Sequence, residues 1–306
     1  MPAPSSRDAT RFVCDADGVR LDRFITDRTA AGARRRTAAI IAAGAVRVNG
    51  RPARKGQLLE RGDVVEIDPA ALATAPPAGQ LELAVPVLYE DEALIAVDKP
   101  AGMPAVALRD DDVGTVANFL LGYAPETVAA ARTPLEAGLV HRLDTGTSGV
   151  LLAARTAEAW ANVRDQFRRR AVEKRYLAWV DGVVARPGSR HEPIAHHPRR
   201  PQLMRACPDA DQARDLRARP ALTRYQPVDR RGGATLLAID IATGVRHQIR
   251  VHLAAAGHPV CGDPLYGGSA AARLMLHAAA LSLRHPLSGT RLSLECLPPS
   301  DFTAPA

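Results

Sequence analysis

Gly138-Leu139-Val140-His141-Arg142-Leu143-Asp144-Thr145-Gly146-Thr147-Ser148-Gly149-Val150-Leu151-Leu152 is the stretch on which the reading of this chain turns. An acid followed by Thr-Gly is a tight-turn signal, and the apolar run from Val150 onward reads as a buried strand. Asp144 is therefore expected on a sharp loop at the head of a strand, not on a solvated charged face. One reading is an Asp that only hydrogen-bonds its own turn. Loops that carry acids beside buried strands are also favoured places for catalysis, so the rest of the chain has to decide.

A length of 306 residues suits one small domain and one larger one. With 46% hydrophobic and 24% charged residues the composition is that of a globular protein. No run approaches the roughly 18 uninterrupted apolar residues of a membrane helix, so no membrane association is expected. The opening MPAPSSRDAT lacks a basic start followed by an apolar core; no secretory signal is expected, and the cytoplasm is the expected compartment. Net charge is +7, but only three of the 40 basic residues are lysines, which points to a compositional bias, and only the clustering of charge carries weight. Cys14, Cys207, Cys261 and Cys296 are far apart and form no C-x-x-C pair, so neither a zinc knuckle nor a disulfide framework is indicated. His196-His197 has no spaced Cys, His or acid partner that would complete a metal set.

Outward from the central stretch, residues 1–18 read as a flexible tail. Leu21, Phe24 and Ile25 fall on one helical face, and Thr37–Ala43 continues as a second helix that Gly44 stops. Val46–Val48 runs into the Asn49-Gly50 turn, and Val64–Ile67 reads as another strand, giving two helices and a small sheet over residues 19–68. Between residues 18 and 58 stand ten basic residues and two acidic ones, a net of +8 that exceeds the excess of the whole chain. The Ala- and Pro-rich residues 69–84 read as a linker. From Val85 to about residue 300 strands and amphipathic segments alternate without a fixed repeat, which predicts a mixed α+β domain. It starts with two short strands about a turn at Asp91 and ends its first hairpin at Lys99-Pro100-Ala101-Gly102. Trp160, Val163 and Phe167 lie at helical spacing with Arg164, Arg168, Arg169 and Arg170 outside them, and Arg190–Arg205 reads as a polar loop.

H-R-L-D-T-G-T-S-G-V-L-L closely resembles the catalytic signature of the RluA family of RNA pseudouridine synthases, and further stretches follow it in the right order. Lys174-Arg175-Tyr176-Leu177-Ala178-Trp179-Val180 resembles the family's K-x-Y-x-A-x-V strand. Thr243-Gly244-Val245-Arg246-His247-Gln248-Ile249-Arg250-Val251-His252 resembles T-G-R-T-H-Q-I-R-V-H, with Val245-Arg246 in place of Arg-Thr. Asp98–Gly102, Gly262–Gly267 and Leu274–Ala278 match its opening and closing segments, so the resemblance spans about residues 85–298. Residues 19–67 resemble the S-four-type RNA-binding domain, without the serines often found around Arg34–Arg36.

The resemblance implies an α+β catalytic domain over residues 85–300 with a mixed, mainly antiparallel central sheet, preceded by a small RNA-binding domain. It implies Asp144 as nucleophile, Arg250 as its ion-pair partner and Tyr176 against the target base, while Arg142, Arg35, Arg36, Arg47 and Arg51 would meet RNA. The isomerisation of uridine exchanges no net atoms and no electrons, so no cofactor and no metal are expected. The expected partner is RNA, ribosomal first and transfer RNA second, with no obligate protein partner and the enzyme a monomer. Two other classes remain to be weighed. Aspartic proteases share D-T-G-T-S but need two such acids sharing a proton, and this chain has a single D-T-G and no D-S-G. A purely RNA-binding protein would not need Asp144, Tyr176 and Arg250 together.

Overall fold

The structure, a computed structural model, describes residues 9–29, 34–72, 77–109 and 111–304. The N-terminal unit runs β1 (Thr10–Val13), β2 (Val19–Arg20), α1 (Leu21–Arg28), α2 (Arg34–Ala42), β3 (Val46–Val48), β4 (Arg51–Pro52), β5 (Leu58–Leu59) and β6 (Val64–Ile67). A short α3 (Pro69–Leu72) follows. Leu21, Phe24 and Ile25 of α1 do bury one face, against Ile40 and Ile41 of α2 and the inward Val46, Val48, Val65 and Ile67 of an antiparallel sheet ordered β1-β6-β3-β4. Asn49 and Gly50 both take positive φ, 50° and 75°, the geometry of a two-residue hairpin turn.

One expectation needs correction here. Thr10–Val13, read as part of a flexible tail, is a strand paired residue for residue with Val64–Ile67, and Cys14 behind it is buried. The segment is short and flanked by polar residues, and its partner lies some fifty residues away, so nothing local announces it. Residues 1–8 lie outside the described residues.

The larger unit contains β7 (Val87–Glu90), β8 (Leu94–Lys99), α4 (Val116–Tyr123), β9 (Ser148–Ala154), α5 (Ala157–Arg168), β10 (Glu173–Asp181), β11 (Gly188–Arg190), β12 (Ile194–His196) and β13 (Met204–Ala206). It continues with α6 (Ala210–Asp215), β14 (Thr223–Arg231), β15 (Ala234–Ile241), α7 (Gln248–Ala255), β16 (Leu276–Arg284) and β17 (Arg291–Glu295). The central sheet is ordered β11-β14-β15-β10-β16-β9-β8-β7, with β17 on the far half of β16. Among the described strands every pairing in it is antiparallel except β16 with β9, so the sheet is mixed and mainly antiparallel.

Strand periodicity explains the two cores. Val150, Leu152 and Ala154 of β9, with Leu94 and Ala96 of β8, pack on Ala159 and Val163 of α5. The alternate residues Leu151 and Ala153, with Ile95 and Val97, pack on Val116, Phe119 and Leu120 of α4. Both faces being covered, β8 and β9 read as continuous apolar runs.

Two further readings change. Residues 77–84, taken as the second half of a linker, pack on the larger unit: Asn118 Nδ2 donates to the Ala78 carbonyl at 2.8 Å and the Gly114 N–H donates to Gln80 Oε1 at 2.6 Å. The approach is so close that a Cβ on Gly122 would come within 2.7 Å of the Leu81 nitrogen. The polar loop expected at residues 190–205 contains the antiparallel β12–β13 hairpin, whose buried Ile194 and Met204 pack on Val245 and Val251.

Candidate active site

Asp144 stands at the turn that leads into β9. The Thr147 N–H closes that turn on the Asp144 carbonyl at 3.0 Å. The Thr145 carbonyl is held twice, by Gly102 N–H at 2.8 Å and by Lys99 Nζ at 3.0 Å. Lys99 is wholly buried and donates to the Pro100 and Met103 carbonyls as well, so its three protons tie the K-P-A-G loop to the Asp144 loop. Burial, then the Arg273 charge, push its pKa down to about 7 against the pull of Asp144 and Asp98.

Beyond the turn, β9 enters the sheet beside β16. A Cβ on Gly149, at φ 109°, would lie 2.2 Å from the Ala278 carbonyl oxygen. Ser148 Oγ is 2.8 Å from His277 Nδ1, whose Nε2 meets the Cys296 carbonyl at 3.0 Å, while Arg273 Nη2 donates to the same Ser148 oxygen. The acid is thus carried by a loop fixed at both ends.

Helix α7 delivers the counter-charge. Gln248 accepts from Thr243 Oγ1 and Val245 N–H and donates to the Leu222 carbonyl, pinning the T-G-V turn to β14. His252 bridges Thr223 and the Glu192 carbonyl. Ile249 and Leu253 enter one core and Val251 another, which fixes the helix's rotation. Arg250 is thereby aimed at Asp144: Nη1 donates to Oδ2 at 3.0 Å, across 106 residues of sequence. Its Nε and Nη2 donate to the two oxygens of Asp263 at 2.6 and 2.8 Å. The Arg250 side chain is 7% exposed, Asp263 0% and Asp144 25%. Burial alone would lower the guanidinium's pKa, but the Asp263 and then the Asp144 carboxylate outweigh it and hold it above its ordinary value. Among the described residues nothing hydrogen-bonds Asp144 Oδ1, which leaves one carboxylate oxygen anchored and the other available.

Tyr176 lies on β10 at the register shift between Arg175 and Tyr176 in its pairing with β16. It is nearly buried, and no described residue hydrogen-bonds its hydroxyl. Burial, then the nearby Asp144 charge, push the phenol up, so it keeps its proton at neutral pH. The structure therefore brings Asp144, Arg250 and Tyr176 together. Arg142 is exposed two residues before Asp144, with no hydrogen bond or ion pair among the described residues. Arg47 and Arg51 are exposed on the N-terminal unit, Arg47 donating to the Gly50 carbonyl at 3.2 Å, and Arg36 is half-buried. The side chain of Arg35 lies outside the described residues.

Sequence reasoning passed over three participants. Asp263 had a signal, an acid between two glycines in Gly262-Asp263-Pro264-Leu265-Tyr266-Gly267; Gly262 is forced, because a Cβ there would sit 1.8 Å from the Arg273 carbonyl. Lys99 had one too, a lysine ending the apolar strand Leu94–Lys99. The third, His247, is at φ 56° just ahead of α7, its Nε2 3.9 Å from Asp144 Oδ2. Arg246 turns away, to the Pro201 and Gln202 carbonyls at 3.4 and 3.2 Å. All four cysteines are free and buried, and no His, Cys, Asp or Glu group among the described residues could hold a metal. No helix among the described residues is long and apolar enough to cross a membrane.

A family model described as RNA pseudouridylate synthase matches residues 93–255, and one described as S4 domain matches residues 19–65. A ribosomal large subunit pseudouridine synthase D of Nitrosomonas europaea is 38% identical over 229 residues, 71% of this chain and 63% of that protein. A protein of the same name from Xanthomonas campestris is 33% identical over 303 residues, 94% of this chain and 88% of its own. Among solved structures, human RNA pseudouridylate synthase domain containing 4 superposes with a TM-score of 0.55 at 25% identity, over 71% of this chain and 90% of that one. Human RNA pseudouridylate synthase domain containing 1 gives 0.57 at 24%, over 72% and 86%, and shares the fold. Matched from the second strand of its larger unit to the end of α7, and alignable with a relative along nearly its whole length, this chain belongs to the RNA pseudouridylate synthase family.

Proposed function

We propose that this synthase isomerises specific uridines of large-subunit ribosomal RNA, with Asp144 as its nucleophile, and that it works as a monomer. The substrate follows the relatives from Nitrosomonas and Xanthomonas, both named for the ribosomal large subunit; transfer RNA is the second choice. The reaction breaks the bond from ribose carbon 1 to base nitrogen 1 and makes one from the same carbon to base carbon 5. A proton leaves carbon 5 and nitrogen 1 gains one. An anionic carboxylate can open this sequence at ribose carbon 1 or at base carbon 6.

A single observation carries the reading. Arg250 has two of its donors saturated by the buried Asp263, and its remaining edge holds Asp144 by Oδ2 alone. The guanidinium favours the anion and fixes its direction, and Oδ1 faces the substrate. Both target carbons are shielded in stacked RNA, so the nucleotide must be flipped out at a cost of a few kcal/mol. Stacking on Tyr176, worth about 1–3 kcal/mol per base in such sites, offsets much of that. Arg142 would hold the flipped nucleotide or fill its place, and Arg35, Arg36, Arg47 and Arg51 would take RNA phosphates, which position the protein without reading sequence.

The test is pseudouridine formation, read by chemical-adduct primer stops in ribosomal RNA from cells with and without the gene and in the purified reaction. Asp144→Asn and Asp144→Ala should form no pseudouridine and bind RNA within a few fold of the wild type. Turnover in either variant overturns the nucleophile. Stops that depend on the gene in transfer RNA and not in ribosomal RNA overturn the substrate.

A further inference from the structure

We propose that His247 is a catalytic residue, donating a hydrogen bond from Nε2 to a carbonyl oxygen of the flipped uracil; this rests on the Asp144 reading above. The argument begins with Tyr266, whose hydroxyl oxygen accepts from the Met204 N–H at 2.9 Å and lies 2.8 Å from His247 Nδ1. A phenol has one proton to give, and His247 Nδ1 is the only acceptor for it among the described residues. Tyr266 therefore donates to Nδ1, and the ring carries its own proton on Nε2. The hydrogen bond made by one ring nitrogen sets the tautomer at the other.

Nε2–H points into the site, 3.9 Å from Asp144 Oδ2. That is too far for a direct hydrogen bond and close enough for both groups to touch one nucleotide. The side chain is 8% exposed, and the ring meets Tyr266 edge-on at 5.7 Å between centroids. Its backbone is held in the left-handed region at the start of α7, a conformation that a non-glycine residue keeps only where its surroundings impose it. The hairpin that supplies Met204 is itself gripped by Arg246 at Pro201 and Gln202, so the relay from hairpin to imidazole is rigid.

The imidazole stays neutral. Burial dominates, the attraction of the Asp144 charge is opposed by Arg250 and Arg246, and the pKa is pushed down to about 4, with Asp263 the other charge near it. A neutral imidazole at a helix N-terminus can polarise a carbonyl without surrendering its proton. The uracil needs such a donor on either route. Attack at base carbon 6 moves an electron pair through carbons 5 and 4 onto the carbonyl oxygen O4. Loss of the base from ribose carbon 1 leaves a uracil anion whose charge is shared by O2 and O4. A preorganised N–H aimed at that oxygen stabilises the charge as it forms, with no proton transferred by His247.

The experiment measures single-turnover rates at saturating RNA, together with Kd, on a transcript that the wild type modifies. His247→Ala should lower the rate on the order of 100-fold, the usual loss for one such donor, with Kd within a few fold. His247→Gln, whose amide N–H reaches the place of Nε2, should recover most of that loss. Tyr266→Phe, which frees the tautomer and leaves the ring in place, should lower the rate by about tenfold. Equal losses in the Ala and Gln variants, a wild-type rate in His247→Ala, or no change in Tyr266→Phe each overturn the proposal. Asp144→Asn is run beside them: product from that variant refutes the nucleophile, whereas normal product from His247→Ala alone refutes only the donor.

Discussion

Arg250 shows what a single residue has to satisfy before it can hold a carboxylate such as Asp144 in one direction. A guanidinium is an inflexible fork of donors, so saturating one edge determines where the other points. Asp263 takes that first edge from a position with no solvent access, and the Tyr266 ring lies 5.1 Å from the guanidinium carbon. The arrangement predicts a split between stability and chemistry. Arg250→Met leaves Asp263 buried and uncompensated and should cost about 3–5 kcal/mol in urea unfolding. Arg250→Met combined with Asp263→Leu removes both buried charges and should recover most of that loss while remaining inactive. A double variant no more stable than the single one would show that the pair does not act as a closed unit. The sequence makes Arg250 legible because H-Q-I-R is a contiguous string. Asp263 is less so, since its partner is chosen through space: Gly262 lets the chain pass against the Arg273 carbonyl, and nothing local to Asp263 announces Arg250.

At the scale of elements the site depends on where β9 meets β16, the one parallel pairing among the described strands of the central sheet. Only the first two residues of β9 take part, Ser148 opposite His277 and Gly149 opposite Ala278, so the junction is short and Gly149 bears the close approach. Gly149→Ala puts a methyl group 2.2 Å from a carbonyl oxygen at φ 109° and should destabilise by at least about 3 kcal/mol. Gly50→Ala, also at positive φ but with nothing within 4 Å, should cost about 1 kcal/mol. Comparable thermal shifts in the two variants would argue against a packed junction. Elements whose periodicity is local were readable in advance: the Leu21, Phe24, Ile25 face, the Trp160, Val163, Phe167 face and the apolar β9. Thr10–Val13 and residues 77–84 were not, because each owes its order to a distant partner, β6 in one case and α4 in the other.

Across the whole molecule the labour divides by charge. A carboxylate proposed as nucleophile needs a finely positioned, partly enclosed environment, whereas an RNA backbone is best met by exposed cations on a stable scaffold. The net of +8 between residues 18 and 58 lies on a unit with its own core, and the exposed Arg47 and Arg51 flank its Asn49-Gly50 turn. Each phosphate contact releases condensed counterions, so it enters the salt dependence of binding as an integer-like increment, about 0.7 per contact on single strands and 0.9 on duplex. In the full-length enzyme, Arg47→Gln with Arg51→Gln should therefore flatten the slope of log K against log salt concentration by about 1.4–1.8. The same variant should keep its single-turnover rate at saturating RNA within about twofold, because phosphate contacts position and take no part in the isomerisation. An unchanged slope would remove these two arginines from the RNA interface, and a large fall in rate at saturation would mean that the N-terminal unit also shapes the active site.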